Sequence, residues 1–307
     1  MPLSEVCNQP ARTFGCDEPF IVSTVLNHVL GESKNFIMNN DSVFMGELTW
    51  PEYARYVEEG GSVVLLPTGA LEQHGHHMCM NVDVLLPTTV CKKVAERANA
   101  IVAPTLQYGY KSQQQSGGGN HFVGTTSLDG ATVTQTVQDV IREFARHGVR
   151  QLAIMNGHFE NSMFLVEGID LALRELRLGG VTDFRVMVLS YWDFIHDPAV
   201  IEQLYPNGFP GWDVEHGGMF ETSLMLALYP ELVDLSKVVD HPPAEFPPYD
   251  MFPVVPDRTP SAGTLSSAKD ATKEKGELIL DICINGIVEA LQKEFTFTER
   301  KEALLTG

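Results

Sequence analysis

Positive charge is scarce in this chain: Lys and Arg total 21 against 40 Asp and Glu, a formal net charge of −19. Such a surface repels a phosphate backbone and argues against nucleic acid as a partner. Cysteine is sparser still. Cys7, Cys16, Cys79, Cys91 and Cys283 are odd in number, scattered, and without a CxxC pair. They read as free thiols of a reducing compartment, with the cytoplasm as the default, and not as a disulfide framework. Long apolar runs are missing too. The nearest approach, Phe20 to Leu30, is broken by Ser23, Thr24, Asn27 and His28, and no stretch reaches the roughly 18 apolar residues of a membrane span. The first residues lack the basic start, apolar run and small-residue cleavage site of a signal peptide. No internal repeat or low-complexity tract is visible. What is there is 307 residues, 44% of them hydrophobic, enough to bury a sizeable core as one large domain or two small ones.

Residues 1–42 alternate turn residues with short apolar pieces and end in Asn39-Asn40-Asp41-Ser42, a break. They are read as an appendage. At Thr49-Trp50-Pro51-Glu52 a Thr and a Glu stand three apart with Pro just inside, which marks a helix start by reciprocal capping. From there strands and helices alternate. Val63 to Leu66 reads as a buried strand, about Val84 to Ala98 as a helix, and Ile101 to Ala103 as a strand. Val133, Val137, Val140, Ile141 and Phe144 form one helical face ending at Gly148. Leu152 to Met155 is then a strand, Met163 to Leu178 a helix, and Val186 to Leu189 a strand. This alternation indicates an α/β fold with a mostly parallel sheet covered on both faces. The stretch His241 to Pro260 is Pro-rich and reads as an ordered surface loop; beyond it Leu280, Ile284, Ile287, Val288 and Leu291 mark one face of a last helix.

Two loops carry the chemistry. Glu72-Gln73-His74 follows the first strand, with Asp83 just before the next helix, and Asn156-Gly157-His158-Phe159-Glu160 follows the strand at Leu152. Parallel sheets hold ligands beyond the carboxyl ends of their strands, so both clusters belong at one edge. Glu72, His74, Asp83, His158 and Glu160 make a mixed oxygen and nitrogen set suited to zinc or manganese. Five ligands cannot close two separate metal shells. One carboxylate must bridge and water must fill the open positions, as in a catalytic site. A single Glu-x-His or His-x-Glu is weak evidence, being more often solvated; two at one sheet edge, with Asp83, mark a site. His76 and His77 compete for these places but are assigned supporting or structural roles, and Cys79 reads as a buried free thiol.

A further constellation runs Gly211-Trp212-Asp213-Val214-Glu215-His216-Gly217-Gly218 into Met219-Phe220-Glu221. His216 beside Glu215, followed by two glycines that let backbone approach a ligand, can supply a general acid or base, or else cap a helix. Trp192 and Trp212 are either core or an aromatic wall for a flat, partly cationic ligand. The run Gln113 to His121 with its three glycines lacks the Gly-Lys-Ser/Thr ending of a phosphate loop. It reads as a flexible border to the pocket, with Ser116 or a backbone amide touching substrate.

On Leu71-Glu72-Gln73-His74-Gly75 with Asp83, the Ser116 to Phe122 loop, Asn156-Gly157-His158 with Glu160, and Glu215-His216-Gly217-Gly218 with Glu221-Thr222-Ser223, the chain resembles the creatininase (creatinine amidohydrolase) family from about Phe44 to Phe295. The resemblance implies a three-layer α/β/α domain, residues 43–307, with two divalent ions per subunit, zinc and/or manganese, in a homohexamer. It implies that Glu72 and His158 serve one metal, His74 and Glu160 the other, and that Asp83 bridges. Ser116, Trp212, Asp213, Glu215 and His216 would line the substrate pocket, Trp192 would stand beside it, and His216 would shuttle the proton. The activity implied is interconversion of creatinine and creatine by attack of a metal-activated hydroxide on the lactam carbonyl, with His216 and Glu160 catalytic. Phe159 stands where the family resembles a His-Tyr-Glu pattern, so a hydroxyl that could contact substrate is absent. Residues 1–42 have no counterpart. The rival readings are a relative acting on another small amide, a formamide or a small peptide; a dinuclear phosphoesterase, disfavoured because no Arg or Lys cluster stands near the ligands; and a non-catalytic metal-stabilised assembly module.

Overall fold

The computed structural model describes residues 42–58 and 63–296. The chain divides at Asn39, and the appendage of residues 1–42 lies, except for Ser42, outside the described residues. In the unit that follows, four strands, β1 (Val63–Thr68), β2 (Ala100–Val102), β3 (Gln151–Asn156) and β4 (Arg185–Ser190), form one sheet in the order β2-β1-β3-β4. Every pairing is parallel. The helices are α1 (Trp50–Glu58), α2 (Val82–Arg97), the short α3 (Gln114–Gly117), α4 (Gly130–Arg146), α5 (Ser162–Leu178), α6 (Pro198–Leu204), α7 (Met219–Leu228) and α8 (Lys273–Glu294).

Period-two alternation along the strands sorts the core into two layers. Val63 and Leu65 of β1 and Ala153 and Met155 of β3 face one cluster, with Leu86 and Val90 of α2, Leu224 of α7 and Ile284 of α8. Val64 and Leu66 with Leu152 and Ile154 face the other, with Val137 and Ile141 of α4 and Leu165 of α5. Because successive side chains leave opposite faces of a strand, a strand apolar at every position must be covered on both sides. That is the three-layer α/β/α arrangement.

The ends of the helices follow local chemistry. Glu52 accepts from the Thr49 backbone N–H and hydroxyl, both at 2.6 Å, so the carboxylate half of the expected capping box forms at the start of α1. Helix α4 stops where Gly148 takes φ 98°, with Val149 N–H donating to the Phe144 carbonyl at 3.0 Å in the pattern that closes a helix on a left-handed residue. Helix α2 begins at Val82, two residues earlier than its apolar spacing predicts, and Asp83 therefore stands inside its first turn. An anion there faces the positive end of the helix dipole. In the C-terminal helix Leu280, Ile284, Ile287 and Leu291 are buried as their spacing predicts, and Val288 sits at the margin.

The Pro-rich stretch is tied down, not loose. Gln114 Nε2 donates to the Val255 carbonyl at 2.7 Å, the Thr259 hydroxyl to the Gly118 carbonyl at 2.8 Å, and Gln73 Nε2 to the Gly263 carbonyl at 2.8 Å. These bonds lash residues 255–263 across the loops that leave the carboxyl edge of the sheet.

Candidate metal centre and pocket

Two glycines place Asp83 between the clusters. A Cβ on Gly69, just past β1, would lie 2.3 Å from the Asp83 carbonyl oxygen, and one on Gly157, just past β3, would lie 2.5 Å from the same atom. With hydrogens there, the two strand ends pinch the first turn of α2. Asp83 then reaches both imidazoles: Oδ1 is 3.0 Å from His74 Nε2 and Oδ2 is 3.0 Å from His158 Nδ1. Glu72 Oε2 lies 3.0 Å from His158 Nδ1.

The donor set fits divalent cations. His74 Nδ1–H is placed to donate to the Glu72 carbonyl at 3.1 Å and His158 Nε2–H to the Tyr110 carbonyl at 3.0 Å. Those bonds to pure acceptors fix the tautomers, and the remaining nitrogen of each ring turns its lone pair toward carboxylates. Lone pairs facing lone pairs repel unless a positive charge lies between them. The same field draws positive charge to the rings: burial opposes charging His74, yet Asp83 and Glu221 raise its pKa well above the usual value. At His158 burial is likewise outweighed, by Glu160 and Glu72. Burial pushes Glu72 up to about 7 against the pull of His158. Asp83, despite its burial, is held well below the carboxylate range by His74 and His158. Glu72 Oε1 and His74 Nε2 are buried without hydrogen-bond partners in the protein, and Gly117 keeps space open beside that Glu72 oxygen, where a Cβ would come within 2.3 Å.

Among the described residues, two triads share Asp83: Glu72, Asp83 and His158, and His74, Asp83 and Glu221. The second differs from the ligand set implied by resemblance, which pairs His74 with Glu160. Glu221, in the first turn of α7, lies 3.6 Å from His74 Nε2 and accepts the Gly217 N–H at 2.7 Å. Glu160 stands on the other side, 3.4 Å from His158 Nε2, and its Oε1 takes the Ser116 hydroxyl at 2.6 Å and the Gln113 N–H at 2.9 Å. The physical reason is reach: Glu160 leaves the end of β3 toward α3, while α7 delivers Glu221 to His74. A carboxylate in the first turn of a helix opened by Gly-Gly was the available signal.

A cleft of about 170 Å³ opens over this centre, lined by Glu72, Asp83, Ser116, His158, Phe159, Glu160, Trp192, Trp212, Asp213, Glu215 and His216. His74 lies beneath it, fully buried. Trp212 is propped edge-on by Phe209 at 4.9 Å and Phe220 at 5.3 Å, and Trp192 meets Tyr191 edge-on at 5.0 Å. Both tryptophans therefore serve as walls. Asp213 is exposed at the rim. Glu215 is buried and committed to protein donors: the Tyr205 hydroxyl, Phe220 N–H at 2.8 Å and the Ser266 hydroxyl at 3.0 Å. Burial pushes its pKa up to about 7 in spite of these bonds. It ties down the start of α7, and Asp213 is the carboxylate left open to the cleft. His216 is held by Nε2–H donating to the Gln73 carbonyl at 2.8 Å. Burial, with His74 nearby, puts its pKa well below the usual value.

The other polar residues of the first loop separate by burial. His77 is buried, 2.8 Å from the Thr222 hydroxyl, and burial lowers its pKa to about 4. His76 is exposed. Cys79 is half-buried and not fully buried as its sequence context suggests.

Fold and site together define a class: an α/β/α protein with a carboxylate and imidazole centre for divalent cations at the carboxyl edge of a parallel sheet. Residues 46–291 match the model of the family described as creatininase, creatinine amidohydrolase, and the chain belongs to that family. It is 74% identical over 254 residues to the creatinine amidohydrolase of Pseudomonas putida, covering 83% of this chain and 98% of that protein. A solved creatininase superposes with a TM-score of 0.84 at 73% identity, covering 84% of this chain and 100% of the other. A creatininase variant complexed with creatine gives 0.81 at 74% identity, covering 82% and 98%. Further solved relatives include a Zn-Zn type and a manganese creatininase.

Proposed function

We propose that this chain is a metal-dependent cyclic amidohydrolase that interconverts creatinine and creatine, with two divalent ions per subunit, zinc, manganese or one of each. The observation that carries the reading is the sharing of Asp83 by two ligand triads at the floor of an aromatic-walled cleft. The high identity to a creatinine amidohydrolase and the creatine complex of a close relative support the substrate. Glu72, Asp83 and His158 would hold one ion and His74, Asp83 and Glu221 the other. Bound there, the ions supply Lewis acidity, polarising the lactam carbonyl and bringing the pKa of water toward neutrality.

The chain's own residues do the rest. Trp192 and Trp212 sandwich the flat guanidine-like part, Asp213 and the Ser116 side of the cleft orient it, and Phe159 covers the rim. Water oxygen bonds to the carbonyl carbon as neutral His216 takes the first water proton, the ring C–N bond breaks, and His216 returns that proton to the departing nitrogen. Glu160, which accepts the Ser116 hydroxyl at 2.6 Å, borders the cleft and takes the second proton, that of the new carboxyl group. The reverse passage closes the ring through the same groups. The working unit is residues 43–307, read as one subunit of a homohexamer in the cytoplasm. Among the described residues no Lys or Arg lines the cleft, which supports a small amide over a phosphoester, and no helix is long and apolar enough to cross a membrane.

Metal analysis of the purified protein, followed by a creatinine-to-creatine assay with and without chelator, tests this. Retained zinc or manganese, with activity abolished by chelator and restored by metal, is expected. A metal-loaded protein inert toward both compounds but active on formamides or short peptides would replace the substrate.

Phe159 gives a narrower test. It lines the cleft and is 59% exposed, so a hydroxyl added in Phe159→Tyr meets no packing obstacle and faces substrate. KM is expected to fall by up to about tenfold, the worth of one hydrogen bond of about 1.4 kcal/mol. An unchanged or raised KM would show that the ring only covers the rim.

A further inference from the structure

Among the described residues three buried side-chain atoms lack a hydrogen-bond partner: Glu72 Oε1, His74 Nε2 and the hydroxyl of Tyr191; Glu72 and Tyr191 line the cleft and His74 lies beneath it. A cation answers the first two. It does not answer the third, because a tyrosine hydroxyl is protonated at neutral pH and its O–H still needs an acceptor, which a cation cannot be.

Tyr191 cannot swing out to find water. It follows β4 directly, is 1% exposed, and its ring is stacked on Phe220 at 6.4 Å and set edge-on to Trp192 at 5.0 Å. Its backbone carbonyl accepts the Cys283 thiol of α8 at 3.1 Å. Nor do the neighbouring carboxylates accept its proton, since Asp83 is turned to the two imidazoles and Glu221 to Gly217 and His74. An unpaired buried donor costs stability, and such groups persist where a ligand completes them.

We propose that Tyr191 is a substrate-binding residue whose hydroxyl donates to the carbonyl oxygen of the bound amide, and to the carboxylate oxygen that this carbonyl becomes. The inference rests on the amidohydrolase reading and names a donor which that reading leaves unused. As the carbonyl carbon is attacked its oxygen gains negative charge, so the bond strengthens along the reaction and acts on kcat as well as on product affinity.

Tyr191→Phe removes only the oxygen. Metal content, thermal midpoint, kcat and KM in both directions, and creatine binding by calorimetry to the metal-loaded protein are compared with wild type. Expected are unchanged metal content, an unchanged or higher midpoint, creatine affinity weaker by about tenfold, and kcat lower by roughly 10- to 100-fold. Unaltered kinetics and creatine affinity would overturn the proposal and leave the hydroxyl a burial cost alone. Metal depletion would overturn it in favour of a role in supporting Glu221. A variant that does not fold would overturn it too, since loss of an unpaired oxygen cannot unfold the protein. Wild-type protein inert toward creatinine and creatine would fail the amidohydrolase reading itself, a result distinct from any difference between wild type and variant.

Discussion

Asp83→Ala is expected to empty both cation positions at once and to cut activity on the order of 10³-fold or more, because the several kcal/mol of Lewis-acid stabilisation go with the ions. Its two oxygens face different imidazoles, each at 3.0 Å, and it belongs to both ligand triads. Glu72→Ala and Glu221→Ala each touch one triad, and each should deplete mainly one position. The fold should survive in Asp83→Ala, since Gly69 and Gly157 pack on the Asp83 backbone and not on its side chain. The helix loses only the favourable charge in its first turn, about 0.3–1 kcal/mol. Metal content per subunit with a thermal melt checks this. Two ions per subunit in Asp83→Ala would rule out the shared ligand, and a protein that melts far earlier would mean that the carboxylate is structural.

The layers of this fold are legible in the sequence because both periodicities are clean. Val63 to Leu66 and Leu152 to Met155 are apolar at every position, which only a doubly covered strand requires, and Val133, Val137 and Ile141 return to one helical face. Boundaries were less legible. Helix α2 starts two residues early where Gly69 and Gly157 pinch its first turn, and the Gly157 side of that pinch comes from over 70 residues away, which no local pattern announces.

The site divides in the same way. Glu72, His74, Asp83 and His158 can be placed from their distance to strand ends, since topology alone carries them to one edge. The second carboxylate for His74 cannot. Whether Glu160 or Glu221 reaches that ring depends on how α3 and α7 pack, and the Ser116 and Gln113 donors draw Glu160 away. Glu215 is similar: beside His216 it reads as a free carboxylate, and only the approach of Tyr205 and Ser266 reveals its commitment to the protein. Tyr191 gave no signal at all, because an unpaired hydroxyl is a property of the space around it.

His216→Gln should keep the metals and lower kcat by roughly 10² to 10⁴, the usual worth of general acid and base catalysis, or about 3–5 kcal/mol of transition-state stabilisation. The ring is held by Nε2–H donating to the Gln73 carbonyl at 2.8 Å, which leaves Nδ1 as the nitrogen with the free lone pair. A glutamine amide can repeat the donor and so preserve the anchor, but it cannot carry a proton. Burial keeps the imidazole neutral at rest, so it suits a relay that takes a proton during water attack and releases it to the ring nitrogen, and not a standing acid. KM should change little, because Trp192, Trp212 and Asp213 form the binding surface and remain. The geometry also contains the counter-case. Glu72, His74 and His216 can converge on one ion, with His216 Nε2 4.0 Å from Glu72 Oε1. Loss of metal in His216→Gln would make the histidine a ligand. Near-normal kcat with both ions in place would instead leave the proton to Glu160, whose position beside His158 and Ser116 makes Glu160→Gln the next variant to assay.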